Sequence, residues 1–269
     1  MRSSPPTDDD PPFWPSWAIQ RRVIGALLMR EVITRFGRHN LGVLWLVLEP
    51  MIFTLGVAAL WITAGMRLDA GVPVLAFAVT GYSSVLLWRN CANCCSGAIH
   101  GNLSLLYHRN VKVFDVMLTR IILEIAGATA SFIVLSTLFI VGGWMSLPVD
   151  IGQVVAGWLM LAWFGASLAL VIGAGTAYGH LVEKFWHPAS YLLFPISGAA
   201  FMVDWLPPPA QEFALWLPMV HGVEMLREGY FGNVVHTRFD TGYMAIVCLL
   251  LTWLGLLLVR GAGQRAQIQ

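Results

Sequence analysis

Apolar residues in this chain gather in long blocks separated by short polar interruptions, and the blocks are too long to be one face of a soluble helix. Runs long enough to cross a bilayer cover about 41–65, 72–88 (continuing toward 95), 116–144, 154–178 and 243–259. The block at 116–144 exceeds what hydrocarbon requires, so it projects or tilts. A further piece, about 188–203, is short for a full span. Counting it gives six crossings. Ahead of the first block, Trp17, Ile24, Leu27 and Leu28 recur at helical spacing with Val23 beside them and Arg21 and Arg22 on the other side. That pattern predicts an amphipathic helix in the membrane interface over 17–36, with a break near 29–31. Residues 1–16 are rich in proline and aspartate and predict a disordered cytosolic tail. The expected fold is therefore an all-α membrane protein, its transmembrane unit covering 37–269.

Composition sharpens this picture. The chain has 269 residues, 57% of them hydrophobic and 12% charged, and a mean hydropathy of +0.69. A soluble domain of this size is excluded. The net charge of +1 offers nothing to nucleic acid. Positive charge also sets the orientation. With an N-terminus inside and six crossings, 13 of the 16 Lys and Arg fall on the cytosolic side, leaving only Arg67, Arg227 and Arg238 outside. Both termini are then cytosolic.

Three places carry candidate chemistry. In the stretch RFGRHNLGVLWLVLEP, Arg35, Arg38, His39 and Asn40 stand at the membrane surface, while Glu49 and Pro50 interrupt the first span. A carboxylate at that depth faces protein or a water-filled path, and a proline there removes a helical hydrogen bond. The polar connection at 100–115 holds Tyr107, His108, Arg109, Asn110, Lys112 and Asp115. Segment 204–239 is too polar to span and too aromatic for a free loop. Dipping back into protein and turning near Leu217 and Pro218 would reconcile the two, which makes it a candidate gate. Its aromatic group, Phe201, Trp205, Phe213, Trp216, Tyr230 and Phe231, could stack on the C–H faces of sugars or simply pack.

Other features read as structure. Cys91, Cys94 and Cys95 have the spacing of half a zinc site with no second half, so packing is the better account. Gly175 and Gly179 match the close-packing pattern of membrane helices. Arg120 and Glu124, one turn apart, suggest an ion pair at the membrane boundary. Trp61, Trp88, Trp144 and Trp253 are placed to anchor span ends. The seven histidines form no HExxH, and there is no GxSxG. Neither Lys112 nor Lys184 sits in a GxxxxGK(S/T) loop, so ATP, if used, is bound by another chain.

Three stretches taken together, RFGRHNLGVLWLVLEP, LLYHRNVKVFDVMLTRIILE (105–124) and MVHGVEMLREGYFG (219–232), resemble the membrane-spanning subunit of capsule-polysaccharide ABC exporters, the KpsM-like permeases. The likeness runs from about Trp17 to Arg260. The proline–aspartate tail is extra, and Leu217 precedes Pro218 where the family often has asparagine. The resemblance implies six membrane helices per subunit and a homodimer in the bacterial inner membrane. It also implies two copies of a cytosolic ATPase that holds the ATP and magnesium, with no cofactor in this chain. The implied substrate is a lipid-linked acidic capsular polysaccharide, moved toward the periplasm and handed to a periplasmic co-polymerase or adaptor and an outer-membrane export protein. By position, Tyr107, His108, Arg109, Asn110, Lys112 and Asp115 match the family's ATPase-coupling loop. Arg35, Arg38 and His39 would meet the anionic lipid-linked end. An O-antigen or teichoic-acid permease, a membrane-embedded enzyme acting on lipid-linked sugars, and a passive assembly subunit stand as alternatives.

Overall fold

The computed structural model describes residues 13–36, 41–66, 68, 71–102 and 111–266. Among these there is no strand, and nine α-helices follow in order. They are α1 (Phe13–Phe36), α2 (Leu41–Thr63), α3 (Val74–Cys95), α4 (Val113–Val141), α5 (Ile151–Thr176), α6 (His180–Ile196), α7 (Pro208–Leu215), α8 (Pro218–Phe231) and α9 (Thr241–Ala266).

Four stretches are long and apolar enough to cross a membrane: Leu44–Thr63 in α2, Val113–Val141, Ile151–Thr176 and Thr241–Arg265. Their outward faces stay apolar because lipid, unlike water, tolerates them; Leu138, Leu159 and Leu249 are all exposed. α3 differs. Its 22 residues span roughly 33 Å at helical rise, and every residue from Ala76 to Trp88 is buried. A helix surrounded by protein can carry Thr80, Ser83 and Ser84 on its faces, and Thr80 and Ser84 satisfy their hydroxyls on the preceding turn.

α5 is the hub, packing against α3, α8 and α9. Three of its glycines, eight residues apart, permit this. A Cβ on Gly157 would lie 2.8 Å from the Leu226 backbone nitrogen, one on Gly165 2.7 Å from the Trp88 Cα, and one on Gly173 2.9 Å from the Cys95 carbonyl. Within α5 the close-packing glycines are these three. Gly175 meets only Val182 of the next helix, and Gly179 meets nothing within 4 Å.

Several sequence expectations are corrected. α1 runs unbroken through 29–31 and starts at Phe13, because Arg30 and Glu31 find polar partners on neighbouring helices instead of ending the helix. α2 likewise continues through Pro50, which is buried. The polar stretch 180–187 is the first half of α6, not a connection, and the helix ends at Ile196. Trp88 and Trp61 are buried in the core and do not anchor at an interface, whereas Trp144 and Trp253 are 66% and 64% exposed. Cys91, Cys94 and Cys95 are free and buried, as packing residues should be.

Candidate functional site

At the end of the bundle where α2 begins, α3 ends and α4 begins, a cleft of about 220 Å³ opens between these three helices. Leu46, Glu49 and Pro50 line it from α2, Asn90, Asn93 and Cys94 from α3, and Glu124 from α4. Each carboxylate is alone in its own span, so neither the sequence pattern nor the spacing announces the pair; only the packing of α2 and α4 against α3 brings them to one wall. Trp186 of α6 donates to the Asn93 Oδ1 at 2.8 Å, fixing that amide from behind. Arg89, one turn before Asn93, lies over the Tyr191 ring at 4.7 Å and the Phe194 ring at 5.6 Å.

From this cleft a row of ring contacts runs toward the opposite end. Phe53, one turn after Glu49, meets Phe194 edge-on at 5.7 Å and Tyr82 at 6.2 Å. Tyr82 meets Trp61 at 5.5 Å, Trp61 meets Phe77 at 6.2 Å, and Phe77 stacks on Trp205 at 5.2 Å. Trp205 is the one member of the predicted aromatic group in this row. The others are dispersed: Tyr230 and Phe231 are buried, with ring centroids 5.0 Å apart, Phe201 is half-buried, and Phe213 and Trp216 are 60% and 77% exposed.

The segment around Trp205 is held by two charged side chains that sequence reasoning passed over. Arg227 of α8 is fully buried, and its guanidinium sits 3.6 Å from the Phe77 ring centre. It donates to the carbonyls of Gly198 at 2.6 Å, Phe201 at 2.7 Å and Ala199 at 2.6 Å, in the turn that follows α6. Glu224, three residues earlier and also buried, accepts from the backbone N–H of Val203 at 3.2 Å and of Arg238 at 3.1 Å. One helix face therefore ties together both strands of chain that flank it. The signal was an oppositely charged i, i+3 pair set among apolar residues in VEMLREG.

α7 and α8 form a helix–turn–helix through residues 216–217. His221 closes it. The Asp240 N–H donates to Nδ1 at 2.8 Å, so Nε2 carries the proton and donates to the Leu215 carbonyl, also at 2.8 Å. That is the neutral imidazole, and burial lowers its pKa from the ordinary value. At the far end of α8 the Tyr230 hydroxyl donates to the Ser146 carbonyl at 2.6 Å.

The coupling residues divide. Lys112 and Asp115 open α4, where Asp115 Oδ2 accepts from the Lys112 N–H at 3.0 Å. Gln20 of α1 donates to the other Asp115 oxygen. Nearby, Arg30 donates to the Asn102 Oδ1 at 2.9 Å. Arg120 pairs with Glu31 across helices at 3.0 Å and donates to the Cys94 carbonyl at 2.8 Å; the ion pair expected within α4 is replaced by one that fastens α1 to it. α1 is thus clamped to both flanks of the 103–110 stretch. Tyr107, His108, Arg109 and Asn110, like Arg38, His39 and Asn40, lie outside the described residues. Arg35 falls in the last turn of α1.

A bundle of apolar helices around a buried, polar central helix, with a cleft at one end and a charge-locked helical hairpin at the other, is the build of a membrane permease. The chain belongs to the ABC-2 type transporter family, which it matches over residues 22–231. It is 46% identical to the capsule polysaccharide export inner-membrane protein CtrC of Neisseria meningitidis serogroup B, over 92% of this chain and 93% of that one. It is 43% identical to the capsule polysaccharide export inner-membrane protein BexB of Haemophilus influenzae, over 97% and 98%. The polysialic acid transport protein KpsM of Escherichia coli is 28% identical over 90% and 94%. The chain is a transport permease and not an enzyme.

Proposed function

We propose that this chain is the membrane-spanning subunit of an ATP-driven exporter that moves lipid-linked capsular polysaccharide from the cytosol to the periplasm. The observation that carries this is the 46% identity, over nearly the full length of both chains, to a protein named for capsule polysaccharide export. ATP and magnesium belong to a partner ATPase.

In the finer reading the chain crosses the inner membrane six times, both termini lying in the cytosol. α3 and α6 supply the two crossings beyond the four apolar ones. α6 spans roughly 26 Å over its 17 residues, close to the thickness of a bilayer core of about 30 Å. Two copies assemble with two ATPases. Arg35, Arg38, His39 and Asn40 receive the anionic lipid-linked end, with Glu49 just inside. ATP binding pushes the 103–110 stretch with Lys112 and Asp115, and the Gln20, Arg30 and Glu31 contacts carry α1 along with it. The polymer leaves past 204–239, acting as outer gate with Phe201, Trp205, Phe213, Trp216, Tyr230 and Phe231. A periplasmic co-polymerase or adaptor and an outer-membrane protein take it onward.

Replacing Arg35 and Arg38 together by glutamine should abolish surface capsule while the permease still copurifies with its ATPase. Polysaccharide should then accumulate inside the cell. Normal surface capsule in the double variant would overturn the role of these arginines.

A further inference from the structure

We propose that Arg89, on α3, is an oxyanion-binding residue whose guanidinium takes a carboxylate or phosphate group. Two sources share this chemistry: the acidic groups of the transported polymer and the headgroup of an anionic phospholipid. The proposal rests on the reading above, in which α3 is one of the crossings of a polysaccharide exporter. An antiparallel register between α3 and α6 places the residue. Trp186 donates to the Asn93 Oδ1 at 2.8 Å, the Tyr191 ring centre lies 4.7 Å from the Arg89 guanidinium, and a Cβ on Gly81 would lie 2.4 Å from the Ala199 carbonyl oxygen. Arg89 therefore stands roughly 22 Å along α3 from Val74 and roughly 9 Å before Cys95, at 1.5 Å per residue.

Its charge is stacked on rings but not hydrogen-bonded. Besides Tyr191, the Phe194 ring centre lies 5.6 Å away, and contacts of this kind engage the charge without using the N–H donors. Among the described residues Arg89 makes no hydrogen bond and no ion pair, and its Nε is buried with no acceptor. Arginines elsewhere in the bundle spend their donors: Arg30 on Asn102, Arg120 on Glu31 and the Cys94 carbonyl, Arg227 on backbone carbonyls, Arg238 on Asp204 and Gln211. The carboxylate on α6, Glu183, faces Gly97 instead. A cation–π contact contributes about 0.5–2 kcal/mol, whereas an ion taken out of water without a partner costs several kcal/mol. Hydrocarbon offers no acceptor to close that gap. An oxyanion does, because the planar guanidinium fork matches the two oxygens of a carboxylate or phosphate.

The site is also reachable. Arg89 is half-buried, and of its nitrogens Nε alone is sealed without a partner, so the two terminal ones face accessible space. Tyr191 is 68% exposed, and Phe53, which meets Phe194 edge-on at 5.7 Å, is 40% exposed. The Tyr191 hydroxyl has no partner among the described residues and adds a neutral donor beside the cation. A cationic ligand would be repelled here, and a neutral one would leave the guanidinium charge unmatched. An acidic sugar would set its carboxylate on Arg89 and its C–H face on Tyr191; a phospholipid would supply the phosphate alone.

The test takes the permease–ATPase complex in nanodiscs of phosphatidylcholine and follows modification of Arg89 by phenylglyoxal, a reagent for free guanidinium groups, by peptide mass spectrometry. Oligogalacturonate supplies carboxylates on sugar rings, dextran supplies rings without charge, and phosphatidylglycerol added to the disc supplies an anionic headgroup. Modification should slow roughly tenfold or more, the worth of one hydrogen bond to a charged group, with oligogalacturonate or with phosphatidylglycerol, and the anion that protects names the source. Equal protection by dextran, protection by neither anion, or no reaction at Arg89 in any disc would overturn the proposal. Because this measurement uses the unmutated complex, it decides the matter even if an Arg89 variant fails to accumulate. In cells, Arg89→Gln should lower surface capsule if the polymer is the source, or the phosphatidylglycerol that copurifies with the permease if the lipid is. Arg89→Lys should restore only part of the loss, since an ammonium keeps the charge without the fork. An Arg89→Gln variant that changes neither quantity would overturn the site. A strain deleted for this chain separates the site from the export reading. If that strain still exports capsule, the export reading falls; if export stops there but neither anion protects Arg89, only the oxyanion site falls.

Discussion

The two ends of this bundle treat buried charge in opposite ways. At the α7–α8 hairpin, Arg227 is sealed from solvent and donates to three backbone carbonyls within 2.7 Å, while Glu224 accepts two backbone N–H groups. At the other end Glu49 stands exposed on a cleft wall. A charge held by the protein's own backbone groups fixes the fold; a charge facing an opening can meet a ligand. The contrast gives the EMLR sequence a structural part, and the recognition part belongs to the proposed reading of the other end.

The largest effect should come from breaking the sealed end. Arg227→Met keeps volume and an unbranched chain but abandons the carbonyls of Gly198, Ala199 and Phe201. It also removes the nearby positive charge that favours the ionised Glu224, and leaving a buried hydrogen-bonding group unsatisfied costs about 1–3 kcal/mol. The variant should fall sharply in membrane abundance and in melting temperature in detergent. Arg227→Lys should rescue little, because one ammonium cannot reproduce the planar fork that reaches all three carbonyls. A stably folded Arg227→Met would mean that this hairpin is held by its apolar packing, and the contrast between the two ends would fail.

That difference also decides what could be read from sequence. The apolar blocks at 41–65, 116–144, 154–178 and 243–259 were legible because lipid-facing helices need no polar face, and all four return as apolar helices. The character of α3 was less so: Trp88 resembles an interfacial anchor until the helices packed against α3 are in place and bury it. Glu49 was visible as an oddity, but its partnership with Glu124 depends on how α2 and α4 meet α3, which no local pattern records. Arg30 and Glu31 were misread as a helix break because their partners, Asn102 and Arg120, lie 72 and 89 residues away. Gly157, Gly165 and Gly173 were not legible in the same way, since a spacing of eight turns each about 80° from the last and sets the outer two about 160° apart around the helix, where they meet different neighbours.

A middle-sized effect should follow from thickening the seam that joins the two ends. Gly165→Val places a branched side chain where a single Cβ would already come within 2.7 Å of the Trp88 Cα, and backbone cannot yield as a side-chain tip can. Overpacking of this kind costs about 1–3 kcal/mol. The same change at Gly179, where a Cβ would meet nothing within 4 Å, should leave stability within about 0.5 kcal/mol of wild type, the ordinary surface range. Equal melting temperatures for the two variants would show that α3 and α5 can separate without loss, and that the hub assigned to α5 is not one.

The smallest stability effect belongs to the clamp on α1. Glu31 and Arg120 keep 13% and 21% of their side-chain surface accessible, so their attraction is partly screened and Glu31→Gln should cost under about 1 kcal/mol. Its functional effect should be larger than that number suggests. α1 touches the flanks of the 103–110 stretch through Gln20, Arg30 and Glu31, and a loosened clamp lets those flanks move without α1. The expected signature is near-normal melting of the purified complex together with less capsule exported per ATP hydrolysed. Arg120 also holds the Cys94 carbonyl at the cleft wall, so Arg120→Gln should lower export further than Glu31→Gln at similar stability. If both variants export at the wild-type rate per ATP, α1 is an anchor alone, and motion at that end of the bundle is carried by α3 and α4 without it.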